Sequence, residues 1–254
     1  MTKISQPTID CARRAIERER TSLEHEREAF RTLIRRVSNL QPEAVPSPVS
    51  GSGAAATAMT ATASRPSRDL QAIRDAYRET VMAVPHYETA YGDTLRESLT
   101  LECGPSLAGH LLDGERLTPP TYGAFLTACK QARDERQQTL QRIEREQESL
   151  ERFAPALEDI ERDVARAGEQ IDAASNTGEL SEIDDQLETR ETECESLASE
   201  RQRQIHERAW TDIDGVDLGF FEYVYSELET TTPVLAAIAA RLETIRSHRV
   251  RCLH

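Results

Sequence analysis

The residues best suited to chemistry gather in VMAVPHYETAYGDTLRES, residues 81 to 98. His86 follows Pro85, and Tyr87 and Tyr91 stand one helical turn apart, so they share a face. Tyr77 lies on the preceding helical pattern, close enough in sequence to meet them across a corner. An imidazole oriented by a carboxylate, here Glu79 or Glu88, is the arrangement of a general base or a ligand. The competing reading is a corner between two helices, where the rings pack and the phenols and imidazole satisfy loop backbone groups. No nucleophile, second ligand or phosphate-binding loop lies nearby, so the corner reading is preferred and no catalytic residue is assigned.

Other combinations are weaker. Cys103 and His110 are seven residues apart across a Gly-Pro break, which is no recognised metal spacing. Cys11, Cys103, Cys129, Cys194 and Cys252 are dispersed and odd in number, as expected of reduced cysteines used as small apolar residues. DIDGVDLG, residues 212 to 219, sets Asp212, Asp214 and Asp217 around Gly215 like half of a calcium loop. Tyr223 occupies the position where such a loop needs its glutamate, so an Asp/Gly turn is expected. RSHRVR, residues 246 to 251, reads as a charge match to a helix C-terminus. No metal or cofactor is expected.

The elements that must position these residues are helical. Ile9, Ile16, Leu23, Phe30 and Val37 recur at steps of seven, with Ala12, Glu19, Glu26, Leu33 and Leu40 as companions. This is a coiled-coil seam with a charged middle, on a helix running to about residue 40. It is expected to pack on a hairpin of its own chain or on a second copy. Residues 41–66 are rich in Pro, Ser, Ala and Gly and read as a flexible linker, spanning ~28 Å r.m.s. as a coil. Helices are then expected over 67 to 84, 87 to 101 and within GPSLAGHLLDG, followed by a long one from Pro119 to about Ala174, kinked at Pro155.

SNTGE, residues 175 to 179, should turn the chain into a second long helix and so close an antiparallel hairpin. Facing positions would pair Ile171 with Ile183, Ala167 with Leu187, Ile160 with Cys194 and Leu157 with Leu197. Phe153 would then meet Arg201, and Glu146 would meet Arg208. Nearly all aromatics fall outside the arms, which predicts a helical head within residues 67–254 carrying a coiled-coil stalk over 143–209. The expected class is all-α: a helical-bundle head with a projecting antiparallel coiled-coil hairpin and a tethered N-terminal helix over residues 1–40.

Composition bounds the function. The 254 residues are 38% hydrophobic and 5% aromatic, with a net charge of −14. Only Lys3 and Lys130 are lysines; the remaining bases are arginines. Acidity with so little lysine is expected of a protein working in molar salt. Residues 1 to 40 hold a modest basic excess, but at a Debye length of ~3 Å that excess gives little affinity for a polyanion. Nucleic acid is therefore not an expected partner. PVLAAIAA, residues 233 to 240, is too short to span a bilayer, and MTKISQPTIDCARR lacks the apolar segment of a signal peptide. A cytoplasmic protein away from membranes is expected.

The 81 to 98 stretch and FFEYVYSELETTTPVLAAIAARLETIR, residues 220 to 246, resemble an uncharacterised family of haloarchaeal helical coiled-coil proteins, defined by a domain of unknown function. The resemblance covers most of the chain outside the linker and implies no activity and no site residues. The chain reads as a non-enzymatic interaction or scaffold protein, binding a protein partner or itself through its coiled-coil helices. A regulatory protein acting with nucleic acid, or a small-molecule enzyme using His86, are the alternatives.

Overall fold

A computed structural model describes residues 6–42, 68–211 and 217–253, with side chains over 8–42, 68–207 and 219–253. Among them are nine α-helices and no strand: α1 (Gln6–Val37), α2 (Arg68–Thr80), α3 (Tyr87–Ala90), α4 (Leu95–Cys103), α5 (Pro105–Asp113), α6 (Pro119–Ala173), α7 (Thr177–Thr211), α8 (Asp217–Val224) and α9 (Pro233–Cys252). The chain is all-α, as its periodicity predicts. Most of the segment read as a linker, and Asp212, Asp214 and Gly215 of the suspected calcium loop, lie outside the described residues; so does the side chain of Asp217. No described helix is long and apolar enough to cross a membrane.

Local chemistry sets the boundaries. The helix expected over 87 to 101 is broken into α3 and α4, because Gly92 takes a φ of 62° that side-chain-bearing residues avoid. Thr94 then restarts the helix with a capping box closed by Glu97. Thr118 caps α6 by accepting from the Thr121 amide at 3.3 Å. Pro155 sits inside α6 without ending it. The hairpin turn is shorter than expected: Asn176 accepts from the Glu179 amide at 3.0 Å, and Glu179 in turn accepts from the Ser175 amide at 2.8 Å. These bonds start α7 at Thr177, making NTGE a helix start rather than a loop.

The chain divides into two compact units, Thr21–Gln141 and Met1–Arg20 with Arg142–His254. In the first, Phe30, Leu33 and Val37 of α1 are buried in one core with Leu70, Ile73 and Tyr77 of α2, Leu99 of α4, Leu111 of α5 and Phe125 of α6. The Tyr122 hydroxyl donates to the Val37 carbonyl at 2.9 Å, tying α6 to the end of α1. This half of α1 therefore packs within its own chain.

In the second unit, α6 and α7 run antiparallel. Arg190 reaches Asp163 at 2.5 Å, Ser149 reaches Gln204 at 3.0 Å, and Arg152 pairs with Glu200, all close to the expected register. Ile160, Leu157, Ala167, Ile183, Leu187 and Cys194 are buried accordingly. Arg201 departs from expectation. Its guanidinium bonds Glu146 at 2.6 Å and Ser149 at 2.6 Å, and its ring contact is Phe221 of α8, 5.6 Å from the centroid, rather than Phe153. A long arginine reaches past its facing position toward an available carboxylate. The side chain of Arg208, the expected partner of Glu146, lies outside the described residues.

Helix α9 lies along both arms. Arg241 donates to the Leu157 carbonyl at 2.8 Å and pairs with Glu161 at 2.6 Å on α6. Arg249 pairs with Asp184 at 2.9 Å and Glu191 at 2.8 Å on α7, and Arg246 with Glu191 at 2.7 Å. The basic tail is thus held by the acidic face of α7, a cause beyond the helix-end charge match expected from sequence.

Candidate functional site

The one polar cluster around His86 is centred on a residue from another helix. Glu26, which interrupts the α1 seam, is 6% exposed. His86 Nε2 lies 2.9 Å from its Oε1, the Tyr91 hydroxyl donates to the same oxygen at 2.8 Å, and Arg136 Nε donates to Oε2 at 3.0 Å. A carboxylate can only accept, so His86 presents Nε2–H to it. Burial pushes the Glu26 carboxyl up, but the bonds from His86 and Tyr91 and the charge and bond of Arg136 outweigh it, leaving the group below its ordinary value. Glu26 is ionised and surrounded by donors.

Arg136 on α6 carries the cluster further. It bonds Glu102 of α4 through both terminal nitrogens and sits 4.9 Å over the Phe30 ring. Burial alone would lower its affinity for a proton; the two carboxylates hold it well above the ordinary value. Four segments that are distant in sequence, α1, the 84 to 91 corner, α4 and α6, are joined by these bonds.

The sequence readings of the corner are met in part. Tyr87 and Tyr91 do pack together, with ring centroids 5.5 Å apart, and His86 lies 6.2 Å from Tyr91. Tyr77 meets the corner through Ser98: its hydroxyl shares a 2.9 Å hydrogen bond with Ser98, which also lies against the Tyr87 phenol, and burial pushes the Tyr77 phenol far up. Neither Glu79 nor Glu88 orients His86. Glu79 is occupied by Arg36 of α1 at 2.7 Å, and the orienting carboxylate comes instead from Glu26. Local spacing could not reveal it, because the pair is 60 residues apart.

Chemically, this cluster is a hub. The Glu26 oxygens take three donors and hold the corner to α6, while His86, oriented through Nε2–H, keeps its Nδ1 lone pair as the one atom a base or ligand role would use. Cys103 and Cys129 offer no activated thiol: burial pushes Cys103 up to about 12 and Cys129 higher still. His110 spends Nδ1 on the Ser106 carbonyl at 2.7 Å, away from any pairing with Cys103. Among the described residues no group of three His, Cys, Asp or Glu side chains is placed to hold a metal ion.

Sequence reasoning missed Glu26, Glu102 and Arg136. The signal for the first was present as a carboxylate at a seam position, which is costly unless paired. No curated protein and no solved structure matches the chain. A family model does, over residues 7–249, a span that includes every residue of the hub: the chain belongs to the family defined by the Domain of unknown function (DUF7260).

Proposed function

We propose that the protein is a non-enzymatic coiled-coil interaction or scaffold protein working in the cytoplasm of a halophile. The observation that carries this reading is the use of Glu26 as a structural joint, taking three donors from the corner and α6. The most catalytic-looking side chains of the sequence are directed at a buried carboxylate. What remains for function is a large helical surface, including α6 with 55 residues and α7 with 35. The net charge of −14 with only two lysines supports the saline setting.

A regulatory role on nucleic acid is the weaker reading. It needs a basic face standing clear of acids, and Arg246 and Arg249 are both engaged by carboxylates of α7. The test is affinity capture of the tagged full-length chain in lysate at molar KCl, with and without nuclease. The reading expects specific protein partners, or the chain itself, retained after nuclease. Loss of all bound protein on nuclease treatment would favour the nucleic-acid reading.

A further inference from the structure

Beside the hub, a cavity of about 60 Å³ opens between the 81 to 93 segment, α1, α4 and α6. Its walls are apolar, from Phe30, Val81, Val84 and Leu101, and three carboxylates, Glu26, Glu102 and Asp93, belong to its lining. These acids are not equivalent. Glu26 and Glu102 share Arg136, while Asp93 makes no hydrogen bond or ion pair with any described residue. Tyr87, also in the lining, is 4% exposed, and its hydroxyl is buried against Ser98 without a hydrogen bond of good geometry. An unpaired carboxylate at the edge of an apolar cavity is an incomplete polar set.

The rim is unusual in the opposite sense. Leu101 is 75% exposed and Tyr91 49% exposed, two of the few large apolar side chains the described surface leaves open. Both border this cavity. At 60 Å³ the space is well below the ~150 Å³ that admits a benzene ring. It suits one aliphatic chain. A free ligand of that size would leave Leu101 uncovered, whereas a polypeptide would not.

We infer that this cavity is the docking point for a segment of a partner protein in which a lysine or arginine stands beside an apolar residue. The inference rests on the interaction reading above and names its surface. The stem of the basic side chain lies between Phe30 and Val84, with its head at Asp93. The apolar neighbour covers Leu101 and Tyr91. Division of labour follows from salt: an exposed ion pair contributes little when the Debye length is ~3 Å. Affinity then comes from the apolar burial, and the charge selects the side chain.

The experiment titrates two blocked peptides, acetyl-Leu-Arg-amide and acetyl-Leu-Glu-amide, into the full-length isotope-labelled chain, read by methyl and amide NMR. Expected are saturable shifts at Val84 and Leu101, with the Arg peptide binding at least fivefold tighter. Asp93→Asn should erase the difference between the peptides, and Leu101→Ser should weaken both. Both positions are open enough for the variants to keep the fold, which circular dichroism verifies. Absence of saturable shifts at these residues, or equal binding of both peptides, overturns the inference. So does a concentration-dependent dimer that Leu101→Ser dissociates, because the occupant is then a second copy. If both variants capture the same proteins as wild type from lysate, this surface is wrong while the interaction reading stands.

Discussion

Arg201 and Glu146 meet at 2.6 Å with side chains 1% and 0% exposed, across the two arms of the α6–α7 hairpin. Ser149 takes a second guanidinium bond and the Tyr225 hydroxyl donates to Glu146 at 2.9 Å, so both charges are compensated inside the protein. Glu146→Gln or Arg201→Leu alone leaves an uncompensated buried charge and should cost about 3–5 kcal/mol. The double replacement Glu146→Leu with Arg201→Met should recover most of that loss, since apolar residues of similar volume fill the site without desolvating a charge. Chemical denaturation of the three variants checks the order; a double variant no better than the worse single one would show that the pair supplies net stability.

The Glu26 hub predicts an ordering of its own. His86→Ala removes one hydrogen bond to a charged group and should cost about 1.5–3 kcal/mol. Arg136→Ala strands Glu26 and Glu102 together and should cost more, about 3–5 kcal/mol. Equal midpoints for the two variants would contradict the central place given to the guanidinium.

The same hub fixes the sign of an acid effect. The Glu26 carboxyl lies below its ordinary value of 4.5 in the folded state, chiefly because the bonds from His86 and Tyr91 and the Arg136 charge outweigh burial. Its contribution is complete above the unfolded value and is lost as pH falls through the folded one. Unfolding free energy measured at descending pH should therefore drop below about 4.5. Glu26→Gln should be less stable at neutral pH and show a shallower acid slope. A slope as steep as wild type would assign the acid sensitivity to other carboxylates.

Helix α9 approaches α6 closely at Gly168, where an added Cβ would come within 2.9 Å of His248 Nε2. Alanine normally stabilises a helix over glycine by about 0.8–1 kcal/mol. Gly168→Ala should show that gain in a His248→Ala background and a smaller one, or a loss, in the wild-type background. Additive effects in thermal melts would mean that the imidazole moves aside without cost.

Much of the architecture was legible because it is local or periodic. The seven-residue steps through Ile9 to Val37 and Ile143 to Val164 mark buried faces, and the Thr118 start of α6 is a residue-level signal. The break between α3 and α4 was legible but missed: Gly92 followed by the Thr94–Glu97 capping box marks a new helix start inside an otherwise continuous amphipathic pattern. The site was half legible. His86, Tyr87 and Tyr91 attract notice by type, but their organising partner is a glutamate that reads only as a flaw in a distant seam. Glu26 and Arg136 are 110 residues apart, and a pairing at that separation is fixed by tertiary packing. Likewise Arg201 follows the nearest buried carboxylate rather than the facing position, because its length spans more than a helical turn.

A hairpin closed within one chain leaves its outer helical surface available to partners. Ile160 and Cys194 are both fully buried at facing positions of α6 and α7. In an Ile160→Cys variant with Cys11, Cys103 and Cys252 changed to Ser and Cys129 to Ala, mild oxidation should join positions 160 and 194 within a single chain. Non-reducing electrophoresis and peptide mapping read the result. A bridge found between chains alone, with none inside one chain, would contradict the account, because the arms would then pair across molecules.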